Sequence, residues 1–290
     1  MERRDFLKLA GAAGLASLAP PVLAETIAAR TIPGTSERLP VIGLGNSNAF
    51  RRGDVEASMA VIERLMQFGG RYIDCGGDAR FVAAEAASRL EFDNVLLGAY
   101  FDLSSPDVVR DEVARLAGED GSMTLMNCFT DQVNEHWDVM RGFKEDGLTK
   151  FIGTARHTSE YYDTMIGLMK TGTLDVLQVN YSMLEPEAAE RVLPTALDEG
   201  VAVMINRPFI NGRYFGVVSG KALPEWASEF DCESWAQFSL KFILSHPAVS
   251  CVLTETENPK HAIDNLRAGL GRLPDEKTRQ RMREHLLSLA

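Results

Sequence analysis

The chain is short of the residues that most often announce a chemistry. Its four cysteines (Cys75, Cys128, Cys232 and Cys251) form no Cys-x-x-Cys pair, and its five histidines stand at no metal-ligand spacing with them. A zinc finger or a thioredoxin-type redox motif is thereby excluded, and no metal site is expected. The cysteines read as four separate buried thiols, although an oxidising compartment would permit a disulfide. No apolar run reaches the roughly 20 residues of a membrane span. Basic residues are also outnumbered: 30 Lys and Arg against 41 Asp and Glu give a net charge of −11. That balance argues against the clustered basic surface that nucleic acid or an anionic membrane requires. The expected partner is a small molecule, and no protein partner is specified.

What is present begins at the N-terminus. "RRDFLKLAGAAGLASLAPPVLA" has Arg3-Arg4, then Phe6, Leu7 and Lys8, and then a short Ala- and Gly-rich apolar run broken by Pro20-Pro21. It closes on Val22-Leu23-Ala24, a small-residue cleavage pattern. This reads as a twin-arginine export signal over residues 1–24, ahead of one domain over residues 25–290. The expected address is the periplasm, with no stable membrane association once the signal is cut. Residues 1–24 hold three basic and two acidic residues, so 27 basic face 39 acidic in the remainder, a net −12.

Beyond the signal, short apolar runs alternate with longer stretches of helical period. The strand candidates are "LPVIGLG", "RYIDCG", "NVLLGAY", "MTLMNCF", "KFIGTA", "DVLQVNYS", "VAVMINRP" and "VSCVLTE". Runs such as "VAVMIN" are apolar on both faces, as strands of a covered parallel sheet must be. Ser105-Pro106-Asp107 suits a helix start, and Gly70, Gly147, Gly172 and Gly200 stand where helices should stop. Eight βα units predict an α/β fold of the (β/α)8 TIM-barrel type, with "DEKTRQRMREHLLSLA" as an extra C-terminal helix. An open doubly wound sheet is the alternative, but "GLGNSN" matches its glycine-rich turn only in part. In a barrel the functional groups stand at the C-terminal strand ends. Those positions are Asp74, Tyr100, Asn127, Arg156, Gln178, Asn206 and Glu255.

Six segments in order, "LPVIGLGNSNAF", "YIDCG", "GLTKFIGTARHT", "LDVLQVNYS", "AVMINRPFINGR" and "SHPAVSCVLTETENPKHAIDNLRA", resemble the aldo/keto reductase family over essentially the whole domain. The resemblance implies NADPH-dependent carbonyl reduction. In that chemistry a Tyr donates a proton, a Lys paired with an Asp lowers the Tyr pKa, and a His orients the carbonyl. Asp74 matches the family's Asp. The Tyr slot falls on Ala79 or, with two extra residues allowed, on Phe81. Tyr100 stands in the Lys slot and Asn127 in the His slot. The catalytic candidates are therefore Asp74, Tyr100 and Asn127, with three of the four family groups replaced.

The resemblance also gives an NADP(H) site: Gln178 for the nicotinamide amide, Tyr181 for ring stacking, and Asn206 and Arg207 after the seventh strand. Asn265, beside Asp264, matches the adenine-reading pair, and Lys260 and Arg267 supply positive charge. Glu255 departs from the pattern, placing a carboxylate where a phosphate loop usually has Gly. Ala155-Arg156 also departs from the usual small polar pair.

For Asp74, Arg80 and Arg156 are the candidate structural partners. Tyr100 is either a substitute acid or an aromatic filler of the space left by Lys. Asn127 keeps a hydrogen-bond donor but cannot transfer a proton. Arg156 and His157 face the mouth, where they suit a ligand carboxylate or phosphate. Trp226, Phe230 and Trp235 read as local packing. Three functions stay open: a non-catalytic binding protein, an oxidoreductase with altered machinery, and a nicotinamide-free enzyme using Asp74, Arg156 and His157.

Overall fold

The computed structural model describes residues 25–118 and 121–289, so the export signal read over residues 1–24 lies outside the described residues. The described residues form ten strands: β1 (Ala29–Thr31), β2 (Arg38–Pro40), β3 (Ile42–Leu44), β4 (Tyr72–Cys75), β5 (Leu96–Tyr100), β6 (Met123–Phe129), β7 (Thr149–Ala155), β8 (Val176–Asn180), β9 (Ala202–Asn206) and β10 (Val249–Thr254). β3 to β10 are parallel and close into a barrel, with β10 joining β3 to β9. The predicted TIM barrel is the fold observed. The extra C-terminal helix runs Glu276–Leu287 and buries Met282 and Leu286.

Strand alternation fixes which side chains fill the barrel, because successive residues point to opposite faces. The lower interior is apolar: Leu39, Tyr72, Leu96, Leu125, Phe151, Val176, Ala202, Met204, Cys251 and Leu253 form one buried cluster. The other strand face packs under the helices in a second, larger cluster. Two residues further along the same inward rows stand Asp74, Asn127, Gln178 and Asn206, so the interior turns polar towards the strand C-termini.

One element was not legible in the sequence. β1 and β2 form an antiparallel hairpin whose Ile32 and Leu39 join the inner cluster and close the barrel bottom. Glu37 ties it down with ion pairs to Arg71 at 2.8 Å and Lys150 at 2.6 Å.

The helix punctuation follows the sequence with one shift. Pro106 and Pro259 sit in first turns. Gly147, Gly172 and Gly200 adopt positive φ after their helices. After the helix Val55–Gln67 it is Gly69, at φ 67°, that makes the left-handed turn, and Gly70 does not. The four cysteines are buried and unpaired. Among the described residues no helix is long and apolar enough to cross a membrane.

Candidate active site

Asp74 points inward from β4 and is 2% exposed. Among the described residues no cation pairs with it. Arg80 instead pairs with Glu112, donates to the Tyr100 carbonyl at 2.6 Å and lies over Phe101. Arg156 pairs with Asp131 and covers the Phe129 ring at 4.2 Å. Both expected partners are therefore committed elsewhere. The reason is positional: Arg80 opens the helix Ala79–Arg89 and turns to its neighbour helix, while Arg156 lies beyond the end of β7.

Asp74 is held by neutral donors instead. Tyr72 Oη donates to Oδ1 at 3.0 Å, Asn127 Nδ2 to Oδ1 at 3.3 Å, and Gln178 Nε2 to Oδ2 at 2.7 Å. The Tyr100 hydroxyl donates to Gln178 Oε1 and also lies close enough to support the carboxylate. Burial raises the Asp74 pKa, and hydrogen bonds from Gln178, Tyr72, Tyr100 and Asn127 oppose that rise. The Tyr100 phenol is pushed well above its ordinary range, first by burial and then by the Asp74 charge.

Two glycines make this arrangement possible. A Cβ at Gly98 would overlap Tyr72 Oη and Asp74 Oδ1, and one at Gly153 would overlap Asn127 Oδ1. Tyr72, Gly98 and Gly153 were missed from sequence, although counting back two residues from Asp74 finds Tyr72 on the same face.

Above this floor opens a cleft of about 1110 Å³, whose walls include Arg80, Tyr100, Phe129, His157, Arg207 and Glu255. Tyr100 and Phe129 stack with centroids 5.4 Å apart. Burial lowers the His157 pKa, and Arg207 and Arg156 add to the effect. A second cleft of about 520 Å³ adjoins it, sharing Arg51, Arg207, Asn211 and Glu255. Glu255 stands 4.0 Å from Arg51. Partial burial raises its pKa, Arg51 opposes the shift, Asp74 adds to it, and Arg207 opposes it. Between the clefts the chain is strained, with Arg207, Ile210 and Asn211 at φ 50°, 51° and 52°.

The structure thus brings Asp74, Tyr100, Asn127 and Gln178 into one network and sets Asn206 and Arg207 on the cleft wall. Four expected cofactor contacts stand differently. Gln178 is 1% exposed, with Nε2 given to Asp74 and Oε1 taken by Tyr100. Tyr181 has the outward parity of β8, and its ring stacks on Phe242 at 5.7 Å and meets His246 edge-on, away from either cleft. Lys260 is exposed and Asn265 buried on the helix Pro259–Arg267, and neither lines a cleft. Trp226 and Trp235 pack on Phe238, as the local-packing reading expected, and they also meet His285 of the C-terminal helix.

The aldo/keto reductase family profile matches residues 99–285. The chain belongs to the aldo/keto reductase family. The match begins within β5, so it leaves out β4, the strand that carries Asp74. The "NADH-specific methylglyoxal reductase" of Escherichia coli (strain K12) is 29% identical over 139 residues. That stretch is 41% of this chain and 39% of the relative, so the chain spans about two-fifths of the length of the curated relative it matches. Among solved structures, an aldo-keto reductase from Bacillus halodurans in its holo form superposes with a TM-score of 0.69 at 16% identity. It covers 91% of this chain and 96% of that one. An aldo-keto reductase from Klebsiella pneumoniae in complex with NADPH gives 0.68 at 18% identity, over 89% and 94%. At these identities the likeness is one of fold.

Proposed function

We propose that this chain keeps the reductase barrel as a small-molecule-binding scaffold and has lost the proton-coupled carbonyl reduction of its family. The observation that carries the reading is the Asp74 carboxylate, sealed among neutral donors with no lysine beside it. On this reading the family's Tyr, Lys and His have given way to Ala79 or Phe81, Tyr100 and Asn127. Tyr100 is not a substitute acid. Its proton goes inward to Gln178, and both burial and the Asp74 charge hold the phenol protonated at neutral pH.

The residues present do not fit a nicotinamide in the family's manner. The Gln178 amide is already spent, Tyr181 faces outward, and Glu255 puts a carboxylate into the cleft that Arg51 and Arg207 line. A third function, using Asp74, Arg156 and His157 together, has no geometric support. Asp74 is sealed beneath the cleft and Arg156 is bound to Asp131.

The relatives' names favour one competing reading. One is an NADH-specific reductase and another is a complex with NADPH. A nicotinamide held by Asn206, Arg207, Lys260 and Asn265 would then survive without the inward-facing contacts. Mass spectrometry of the purified protein, followed by fluorescence titration with NADPH and NADH, separates the two. No co-purified cofactor and no binding at millimolar concentration is the expected result. A micromolar dissociation constant, about 8 kcal/mol, would restore hydride chemistry.

We also propose export by the twin-arginine route. The motif that supports it is Arg3-Arg4 with Phe6 and Leu7. An Arg3→Lys, Arg4→Lys double variant should stay in the cytoplasm, and its undiminished appearance outside would refute this address.

A further inference from the structure

The hydrogen bonds around Asp74 have a fixed direction. The Asp74 carboxylate accepts at both oxygens, from Tyr72 and Asn127 at Oδ1 and from Gln178 Nε2 at Oδ2, 2.7 Å away. The Gln178 Oε1 then faces Tyr100, and the Tyr100 hydroxyl must donate to it. Asn127 obeys the same constraint: Nδ2 goes to Asp74 Oδ1, and its own Oδ1 is left buried without a partner. The accepting carboxylate at the root of the network therefore sets the polarity of the amides and the Tyr100 hydroxyl above it.

Tyr100 is where the network meets the cleft. A phenol has one proton, and here that proton is used inward, so only a lone pair remains on the oxygen for anything in the cleft. We propose that Tyr100 is a hydrogen-bond acceptor for the ligand. The cleft then selects a small molecule bearing a hydroxyl or N–H over the matching carbonyl compound, and Asp74 sets that preference through Gln178. A carbonyl oxygen brought to Tyr100 would meet a lone pair with a lone pair and lose a solvent hydrogen bond without replacement. The preference is the reverse of that needed by a carbonyl reductase. This inference rests on the ligand-binding reading above and adds the ligand's chemistry to it.

The arrangement has a built-in inversion. In Asp74→Asn the new amide offers an N–H towards Gln178. Gln178 can then turn Oε1 to residue 74 and Nε2 to the Tyr100 oxygen. The Tyr100 proton is released to the cleft, and the site becomes a donor.

The test is calorimetric or NMR titration of the purified, cofactor-free chain with 1-phenylethanol and acetophenone, which differ only in hydroxyl against carbonyl. The wild type should bind the alcohol about tenfold tighter, the factor that one net hydrogen bond supplies. Tyr100→Phe should bring the ratio close to one, and Asp74→Asn should bring it to one or below. If Asp74→Asn does not fold, the Tyr100→Phe ratio decides. Acetophenone binding as tightly as the alcohol in the wild type, an unchanged ratio in Tyr100→Phe, or no binding of either compound would overturn the proposal. NADPH-dependent turnover of acetophenone would instead overturn the proposed function, leaving the ratio measured without cofactor to stand or fall alone.

Discussion

Two sectors of one barrel mouth behave differently. Across β4 to β8 the inward groups Tyr72, Asp74, Asn127 and Gln178 are at most 2% exposed and answer one another's hydrogen bonds, with Asn127 Oδ1 the exception. Across β9, β10 and β3 the Oδ1 atoms of Asn206 and Asn46 are buried without partners, and Glu255 faces Arg51 at 4.0 Å. Three residues of the loop after β9 also hold left-handed backbone. The first sector is organised as a core would be, around one charge. The second is organised as a binding wall, with strain and unsatisfied groups left in place. A polar barrel mouth is therefore not one site by default. Each sector has to be read by whether its polar atoms need something from outside.

The comparison breaks most severely at the glycines of the sealed sector. Gly98→Ala and Gly153→Ala force a Cβ into Tyr72 and Asp74, or into Asn127, and should each cost about 3 kcal/mol in chemical denaturation. Asp74→Leu strands the donors of Tyr72, Asn127 and Gln178 and should cost about 2–3 kcal/mol, more than Asp74→Asn. Tyr100→Phe leaves Gln178 Oε1 without its donor and should cost about 1 kcal/mol. In the open sector Asn206→Ala should stay within about 0.5 kcal/mol, because no intramolecular hydrogen bond is lost. Equal losses in the two sectors would erase the distinction.

The smallest effect depends on pH. The Glu255 carboxyl is raised in the folded protein, chiefly by burial. The folded state therefore holds its proton to higher pH than the unfolded chain, and stability from this group falls as pH rises through the folded pKa. Glu255→Gln should melt slightly higher than wild type at pH 7. The advantage should vanish below the ordinary value of 4.5, where both states are protonated. Thermal scans at the two pH values check it.

How much of this was legible beforehand follows from which rule governed each residue. The barrel strands were legible as apolar runs, so Asp74, Asn127, Gln178 and Asn206 stand at or near strand C-terminal ends as expected, and the period of two turns them inward. The same count puts Tyr181 on the outer face and Tyr72 below Asp74. For Tyr181 the resemblance pointed the other way, and Tyr72 carried no motif to single it out. The ion pairs were not legible: whether Arg80 turns to Asp74 or to Glu112 depends on the approach of two helices, which no local pattern encodes. The hairpin of β1 and β2 was hidden because each strand is three residues long, too short for an alternation to register.

The central claim is that the sealed sector has no proton to give to a carbonyl. Its most direct test is NADPH and NADH oxidation by the purified chain with methylglyoxal and a panel of aldehydes and ketones. The account predicts a rate no greater than that without protein. Turnover that disappears in Tyr100→Phe would contradict it, since that hydroxyl would then be the acid its hydrogen bond to Gln178 is argued to prevent.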